Sequence, residues 1–263
     1  MIRYFFSLTL CALLFVSSAF AEKFSRTETK YFNIAADGKI SVENVNGSIK
    51  VESWGGNQVS LEITKTVRAD GSDEAKEYFS RLRVEIRSGS DFLEVKTRYP
   101  HEWGMGFFDW LFHGGSHYQN VEYVLKVPKT VHVDLESTNG ALKVEGVTAS
   151  VEVHTTNGRI DLENVGGIVE GSTTNGGIVA RLEKGDSFQG LKLSTTNGGI
   201  TVYCPGDINA DVEASTTNGG IHSDFPITVE GDFGGRHLEG KINDGGSDLH
   251  LHTTNGGISI YKE

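Results

Sequence analysis

The chain has 263 residues, with 33 Gly, 4 Pro and 37% hydrophobic residues that include 14 Phe, 8 Tyr and 3 Trp. Glycine is nearly twice its usual share of about 7%, yet Gly and Pro together stay well below low-complexity levels, so the chain folds around a sizeable core. A formal net charge of −11 argues against nucleic acid or an anionic membrane surface as partner and suits solubility, a cationic ligand or a bound divalent ion.

Residues 1–21 read as a signal peptide. Arg3 supplies the basic start, Leu8 to Val16 a short apolar run, and Ala19-Phe20-Ala21 a cleavage site before Glu22. The run is too short for the roughly 20 residues of a membrane span, and no later stretch is longer. Cys11 follows Thr9-Leu10, which does not suit a lipid-anchored cysteine. The mature chain, 22–263, is expected to be one exported, soluble domain, periplasmic or extracellular. It keeps Cys204 as its single cysteine, so no internal disulfide forms, and the repeat alignment favours an inert core thiol.

Between 30 and 98 the sequence predicts a first repeat unit and a cap. Ile40, Val42, Ile49 and Val51 alternate around Val45-Asn46-Gly47. A helix is expected over Ser72–Arg83, with Ser72 as its cap, Asp73 and Glu74 in the first turn, and Ala75, Phe79 and Leu82 on one face. Val84 to Ile86 and Phe92 to Val95 alternate around Ser88-Gly89-Ser90 as a hairpin. Helix and hairpin together cover an open end of the fold.

Residues 99–118 interrupt the pattern with Trp103, Met105, Phe107, Phe108, Trp110, Leu111 and Phe112 among glycines. Such apolar density needs a cover. It is either a plug over the core or a docking loop for a protein, a glycan or the membrane interface, with Trp103, Phe107, Phe108, Trp110, Leu111 and Phe112 as its binding residues.

From 121 to 263 runs the main array. Ser-Thr-Asn-Gly or Thr-Thr-Asn-Gly recurs with its Asn at 139, 157, 175, 197, 218 and 255, at intervals of 18, 18, 22, 21 and 37 residues. Apolar residues fall six and four positions before the Asn (Val133 and Leu135, Val151 and Val153, Leu249 and Leu251) and three and five after it (Leu142 and Val144, Ile160 and Leu162, Ile258 and Ile260), with Gly171 and Ser223 as the exceptions. Each unit is strand, turn, strand with one apolar face. Two architectures explain this. Asn-Gly is the strongest hairpin signal, because a type I′ turn needs positive φ at both central residues, and gives an antiparallel hairpin sandwich. A β-solenoid explains more, since only stacked corners reward the same Asn and Thr in successive units, which then form a hydrogen-bonded ladder. The fold class is therefore all-β, a stack of Thr-Thr-Asn-Gly coils with one short capping helix. The 37-residue interval is expected to hold an extra hairpin.

Val127-Pro128 before an alternating strand, the Thr-Asn-Gly units, Gly240-Lys241-Ile242-Asn243-Asp244-Gly245-Gly246 and a closing Thr-Thr-Asn-Gly-Gly-Ile-Ser-Ile resemble the bacterial putative-adhesin family of β-strand-repeat domains over roughly residues 30–263. The resemblance implies a solenoid-like all-β body and no catalytic residues.

Little else points to chemistry. An amide is no general acid or base at neutral pH, and H-E-x-x-H, G-x-S-x-G and the calcium-binding nonapeptide do not occur in the sequence. His113 with His117, and His250 with His252, each lack a third ligand. Asp134, Glu152 and Glu170, five before their Asn, would form a column at strand spacing; solvent and salt can screen it, and calcium is the one cofactor it could attract. The sequence thus reads as an exported, non-catalytic binding or surface-interaction module of adhesin type. The alternatives are a glycan-active enzyme on a β-helical scaffold and a periplasmic structural or stress-related protein.

Overall fold

The structure is a computed structural model and describes residues 22–99, 119–185, 187–229 and 235–263. Residues 1–21, read above as a signal peptide, and the aromatic segment from Trp103 to Phe112, with His113 and His117, lie outside the described residues. In chain order the elements before that segment are β1 (Glu22–Phe32), β2 (Lys39–Asn46), β3 (Ile49–Ser53), β4 (Val59–Ala69), α1 (Ser72–Arg81), β5 (Arg83–Ser88) and β6 (Phe92–Arg98). After it come β7 (Gln119–Val127), β8 (His132–Asn139), β9 (Leu142–Glu145), β10 (Val151–Asn157), β11 (Ile160–Val165), β12 (Gly167–Asn175), β13 (Ile178–Leu182), β14 (Phe188–Asn197) and β15 (Ile200–Cys204). The chain closes with β16 (Ala210–Asn218), β17 (Ile221–Ser223), β18 (Ile227–Val229), β19 (His237–Ile242), β20 (Ser247–Asn255) and β21 (Ile258–Lys262).

These strands make two sheets. One has the order β1-β4-β7-β3-β9-β11-β13-β15-β21-β17, the other β18-β19-β16-β20-β14-β12-β10-β8-β2-β6-β5. Each Asn-Gly unit puts its first strand in the second sheet and its second strand in the first sheet, so a unit is one coil and the corner carries the chain across. Neighbouring coils pair in parallel with Asn beside Asn, as in Asn157↔Asn175 and Asn175↔Asn197. The hairpin sandwich is thereby excluded for the array. Antiparallel pairing is confined to the ends: β1 with β4 and β4 with β7, β5 with β6, and β18 with β19 and β19 with β16.

Inward side chains of both sheets meet in one core running from Ile34 to Ile260. All the alignment positions quoted above are buried, as are Ile40, Val42, Ile49 and Val51 of the first unit. The stripe follows from alternation: with period two, every second residue faces inward and packs on the same position of the next coil.

Three details depart from expectation. Ser72 does not cap the helix; the cap position is Gly71, without a side-chain bond, and Asp70 N–H instead donates to Glu74 Oε2 at 2.7 Å. The helix stops at Arg81, because Leu82 turns extended and enters the main core while Arg83 opens β5. Its apolar face, Ala75, Tyr78 and Phe79, packs on Val67 and Ala69 in a separate small cluster, with Phe24 alongside. The 37-residue interval does contain a hairpin, β18–β19, but the coil that follows it is not the last in space. β20 and β21 are inserted between the coils of Asn197 and Asn218.

Candidate functional site

The corners of the array share one Asn ladder, and all but the first share one Thr bond; at the first, Ser137 takes the threonine's place and its buried hydroxyl has no partner among the described residues. The Asn side chains form a continuous ladder of six hydrogen bonds in which each Nδ2 donates to the Oδ1 of the coil before it: Asn139 to Asn46 (2.9 Å), Asn157 to Asn139 (2.8 Å), Asn175 to Asn157 (2.8 Å), Asn197 to Asn175 (2.9 Å), Asn255 to Asn197 (2.8 Å) and Asn218 to Asn255 (2.8 Å). The first Thr of each Thr-Thr pair is buried, and its hydroxyl donates to the corner Gly carbonyl of the preceding coil: Thr155 to Gly140, Thr173 to Gly158, Thr195 to Gly176, Thr253 to Gly198 and Thr216 to Gly256, at 2.8–3.2 Å. Glycine is needed for closeness rather than for φ. Gly140, Gly158 and Gly198 do not have positive φ, but a Cβ on any of them would sit 2.0 Å from the preceding coil's Gly carbonyl oxygen. The motif is therefore a packing device: Gly admits the carbonyl, Thr bonds it, and Asn ties the coils together outside it.

The aromatic segment leaves from this corner row. β6 pairs in parallel with β2 through Ile40↔Leu93 and Val42↔Val95, and β7 pairs in parallel with β3 through Ile49↔Tyr123 and Val51↔Leu125. β6 and β7 are thus one more strand-corner-strand coil, stacked on the Asn46 coil, in which residues 100–118 stand where the other coils have Asn-Gly. Continued along β6, the register sets Tyr99 level with Asn46, and Tyr99 OH donates to Asn46 O at 3.2 Å. Asn44 takes the threonine's place, donating to Val121 O at 2.8 Å and Gly47 O at 3.1 Å. Thr97 donates to Asn44 Oδ1 at 2.9 Å and lies 2.6 Å from Tyr123 OH. Burial pushes the Tyr123 phenol above its usual pKa, so it stays a neutral member of this network. Gly47, at φ 122°, would put a Cβ 2.1 Å from Val121 O, so both chain ends of the aromatic segment are held in a closely packed frame.

Asp134, Glu152 and Glu170 stand side by side on the outer face, as the spacing implies. Each has its own basic neighbour: Lys39 Nζ lies 2.8 Å from Asp134, His154 Nε2 3.0 Å from Glu152 and Lys192 Nζ 3.9 Å from Glu170. The Asp134 hydrogen bond raises the Lys39 pKa above its ordinary value. Among the described residues no three His, Cys, Asp or Glu converge to hold a metal ion. His250 and His252 do project to one side but part company, His250 to Glu213 Oε2 at 3.0 Å and His252 to Ser215 Oγ at 2.9 Å. Cys204 is fully buried, and burial pushes its thiol up to about 12.

One group escaped sequence reasoning. Six residues after their Asn, Arg181, Tyr203 and Tyr261 stack on the outer face of the first sheet, the two rings 5.4 Å apart and the guanidinium 4.4 Å above Tyr203. Arg181 also bonds Glu163 at 2.6 Å and Glu263 at 2.8 Å. Extending the alignment to that outward position would have found it. Tyr203 has Arg181 and Tyr261 on its ring, and Tyr261 also meets the His222 ring at 5.8 Å, tilted by 54°, so the stack is a ladder like the Asn row.

A family model described as Toastrack DUF4097 matches residues 35–261. The chain belongs to this Toastrack family. No curated protein matches it. Among solved structures, the Toastrack chain is similar to a putative cell adhesion protein from Clostridium sporogenes, with 13% identity, 91% of this chain and 100% of that one covered, and a TM-score of 0.49. It is also similar to a putative adhesin from Bacteroides fragilis, with 10% identity, 90% and 97% covered, and a TM-score of 0.32. A third is a putative lipid binding protein from Parabacteroides distasonis, with 12% identity, 90% and 94% covered, and a TM-score of 0.38. Likeness this remote transfers no residue role.

Proposed function

We propose that this Toastrack protein is an exported, non-catalytic surface-interaction module, a stiff coil stack that holds out the aromatic segment 99–118 as its docking element. The observation that carries the reading is the expanded corner: the apolar segment replaces an Asn-Gly turn in a coil that is otherwise built like its neighbours, and its ends are tied by Tyr99 and by the Asn44 bond to Val121 O. Trp103, Phe107, Phe108, Trp110, Leu111 and Phe112 are the residues assigned to a protein, glycan or membrane-interface partner. No helix among the described residues is long and apolar enough to cross a membrane.

A glycan-cleaving site would need carboxylates converging in a groove. Each carboxylate of the described column has its own side-chain partner on an open face, and a recess of about 230 Å³ near the β5–β6 hairpin sets Glu85 beside Arg98 at 3.0 Å and Glu94 beside Arg87 at 3.9 Å. Both arrangements favour binding over hydrolysis. The test replaces residues 102–114 with a short Gly-Ser linker. The variant is expected to keep its melting temperature and to lose co-sedimentation with phospholipid vesicles, cell-wall polysaccharide or envelope protein, whichever of the three the wild type binds. A large fall in melting temperature would show that the rings are core, and unchanged binding would remove them from the site.

A further inference from the structure

Asn-Gly is the dipeptide in which a backbone nitrogen most readily attacks a side-chain amide, because Gly has no Cβ to obstruct the approach, and asparagine is accordingly a thermolabile residue. The fold carries seven such pairs and treats six of them alike. At Gly47, Gly140, Gly158, Gly176, Gly198 and Gly256 the backbone N–H donates to the Asn carbonyl of the next coil, at 2.9–3.0 Å. At the same six corners the Asn Oδ1 accepts the next coil's Nδ2, so nucleophile and electrophile are both tied. The seventh is Asn218-Gly219, in the outermost coil, where β17 is an edge strand. Asn218 donates to Asn255 at 2.8 Å, but no further coil follows. Among the described residues nothing accepts the Gly219 N–H or donates to Asn218 Oδ1. Gly219 is also exposed, while the other six corner glycines are not.

We propose that Asn218 is a site of spontaneous covalent modification, deamidation through a cyclic imide, and that the coil ladder protects the other six Asn-Gly pairs. The Gly219 nitrogen bonds to Asn218 Cγ, the Cγ–Nδ2 bond breaks, and ammonia leaves with the proton that Gly219 N–H gives up. Solvent water then opens either imide carbonyl, giving Asp or isoaspartate at 218, so amide plus water becomes acid plus ammonia. The product has no amide hydrogen to donate to Asn255 Oδ1 and sets a negative charge beside that oxygen, which loosens the terminal coil. The modification is thus a chemical clock at one end of the stack.

The test is peptide mapping by mass spectrometry of the purified mature protein during incubation at mildly alkaline pH, with a parallel sample in urea. In the native sample Asn218 is expected to convert about thirtyfold faster than each of the other six, the factor for two hydrogen bonds of ordinary net strength. In urea the seven should convert at similar rates. An Asn218→Asp variant should melt below wild type. Equal native rates at the seven sites, another site converting first, or an Asn218 that stays intact while the urea sample converts would overturn the proposal.

Discussion

Removing one rung tests the corner ladder. Asn197 donates to Asn175 at 2.9 Å and accepts from Asn255 at 2.8 Å, so Asn197→Ala deletes two hydrogen bonds. At a net 0.5–1.5 kcal/mol each, the loss is about 1–3 kcal/mol; the exposed corner lets water replace part of it, which favours the lower half of that range. Asn46 and Asn218 each take part in one rung, so their Ala variants should lose about half as much. Thr195→Val is the buried counterpart. Its hydroxyl donates to Gly176 O at 2.9 Å, and that oxygen sits where a Cβ on Gly198 would approach to 2.0 Å, leaving no room for water. This single bond should therefore cost about 1–3 kcal/mol, the penalty for an orphaned buried carbonyl. Equilibrium urea unfolding reads these values, provided the m-value is unchanged, since a stacked array can lose cooperativity when one interface weakens. If Asn197→Ala is no more destabilising than Asn46→Ala and Asn218→Ala, the rungs do not carry stability and the reasoning fails.

Three further outcomes are expected. Gly158→Ala forces a Cβ to 2.0 Å from Gly140 O and should cost at least 1–3 kcal/mol of overpacking, whereas Gly220→Ala meets no atom within 4 Å and should leave the melting temperature unchanged; similar melting temperatures for the two would refute the packing account of the corner glycines. Folding holds the Cys204 thiol neutral, raising its pKa from 9.0 to about 12, so this contribution is intact below pH 9 and declines as pH rises toward 12. Cys204→Ala should be less stable at neutral pH yet flatten that alkaline decline, and native Cys204 should resist thiol reagents until urea is added; a fast native reaction would contradict the burial. Because Asp134, Glu152 and Glu170 already have basic neighbours, millimolar calcium should raise the melting temperature no more than sodium at equal ionic strength, and a larger rise would mean that the column binds the ion.

The repeat residues alone determined a great deal. Alternation fixed which side chains of every array coil face inward, and the constant Asn set the register, since a slip of one residue would turn each apolar set to water. Other features had no local signal. β1 reads as polar and is almost wholly exposed, because an edge strand paired on β4 needs no apolar face. The Asn-Gly pair by itself fits a hairpin as well as a corner; parallel stacking and the 2.0 Å approach of one coil's carbonyl to the next coil's glycine separate the two, and both are contacts between units. Coil order is the clearest case. Residues 195–200, 216–221 and 253–258 share Thr-Thr-Asn-Gly-Gly-Ile, so any of these corners satisfies the ladder beside any other, and spacing along the chain cannot say which coils are neighbours. Burial makes the choice. The Asn255 coil brings Leu249, Leu251, Ile258 and Ile260, all buried, and takes the interior position, whereas the Asn218 coil brings the smaller Val212 and Ala214, with Ile221 and Ser223 only partly buried, and forms the end. The more apolar coil goes where both of its faces are covered, because the hydrophobic effect scales with area removed from water and not with order along the chain.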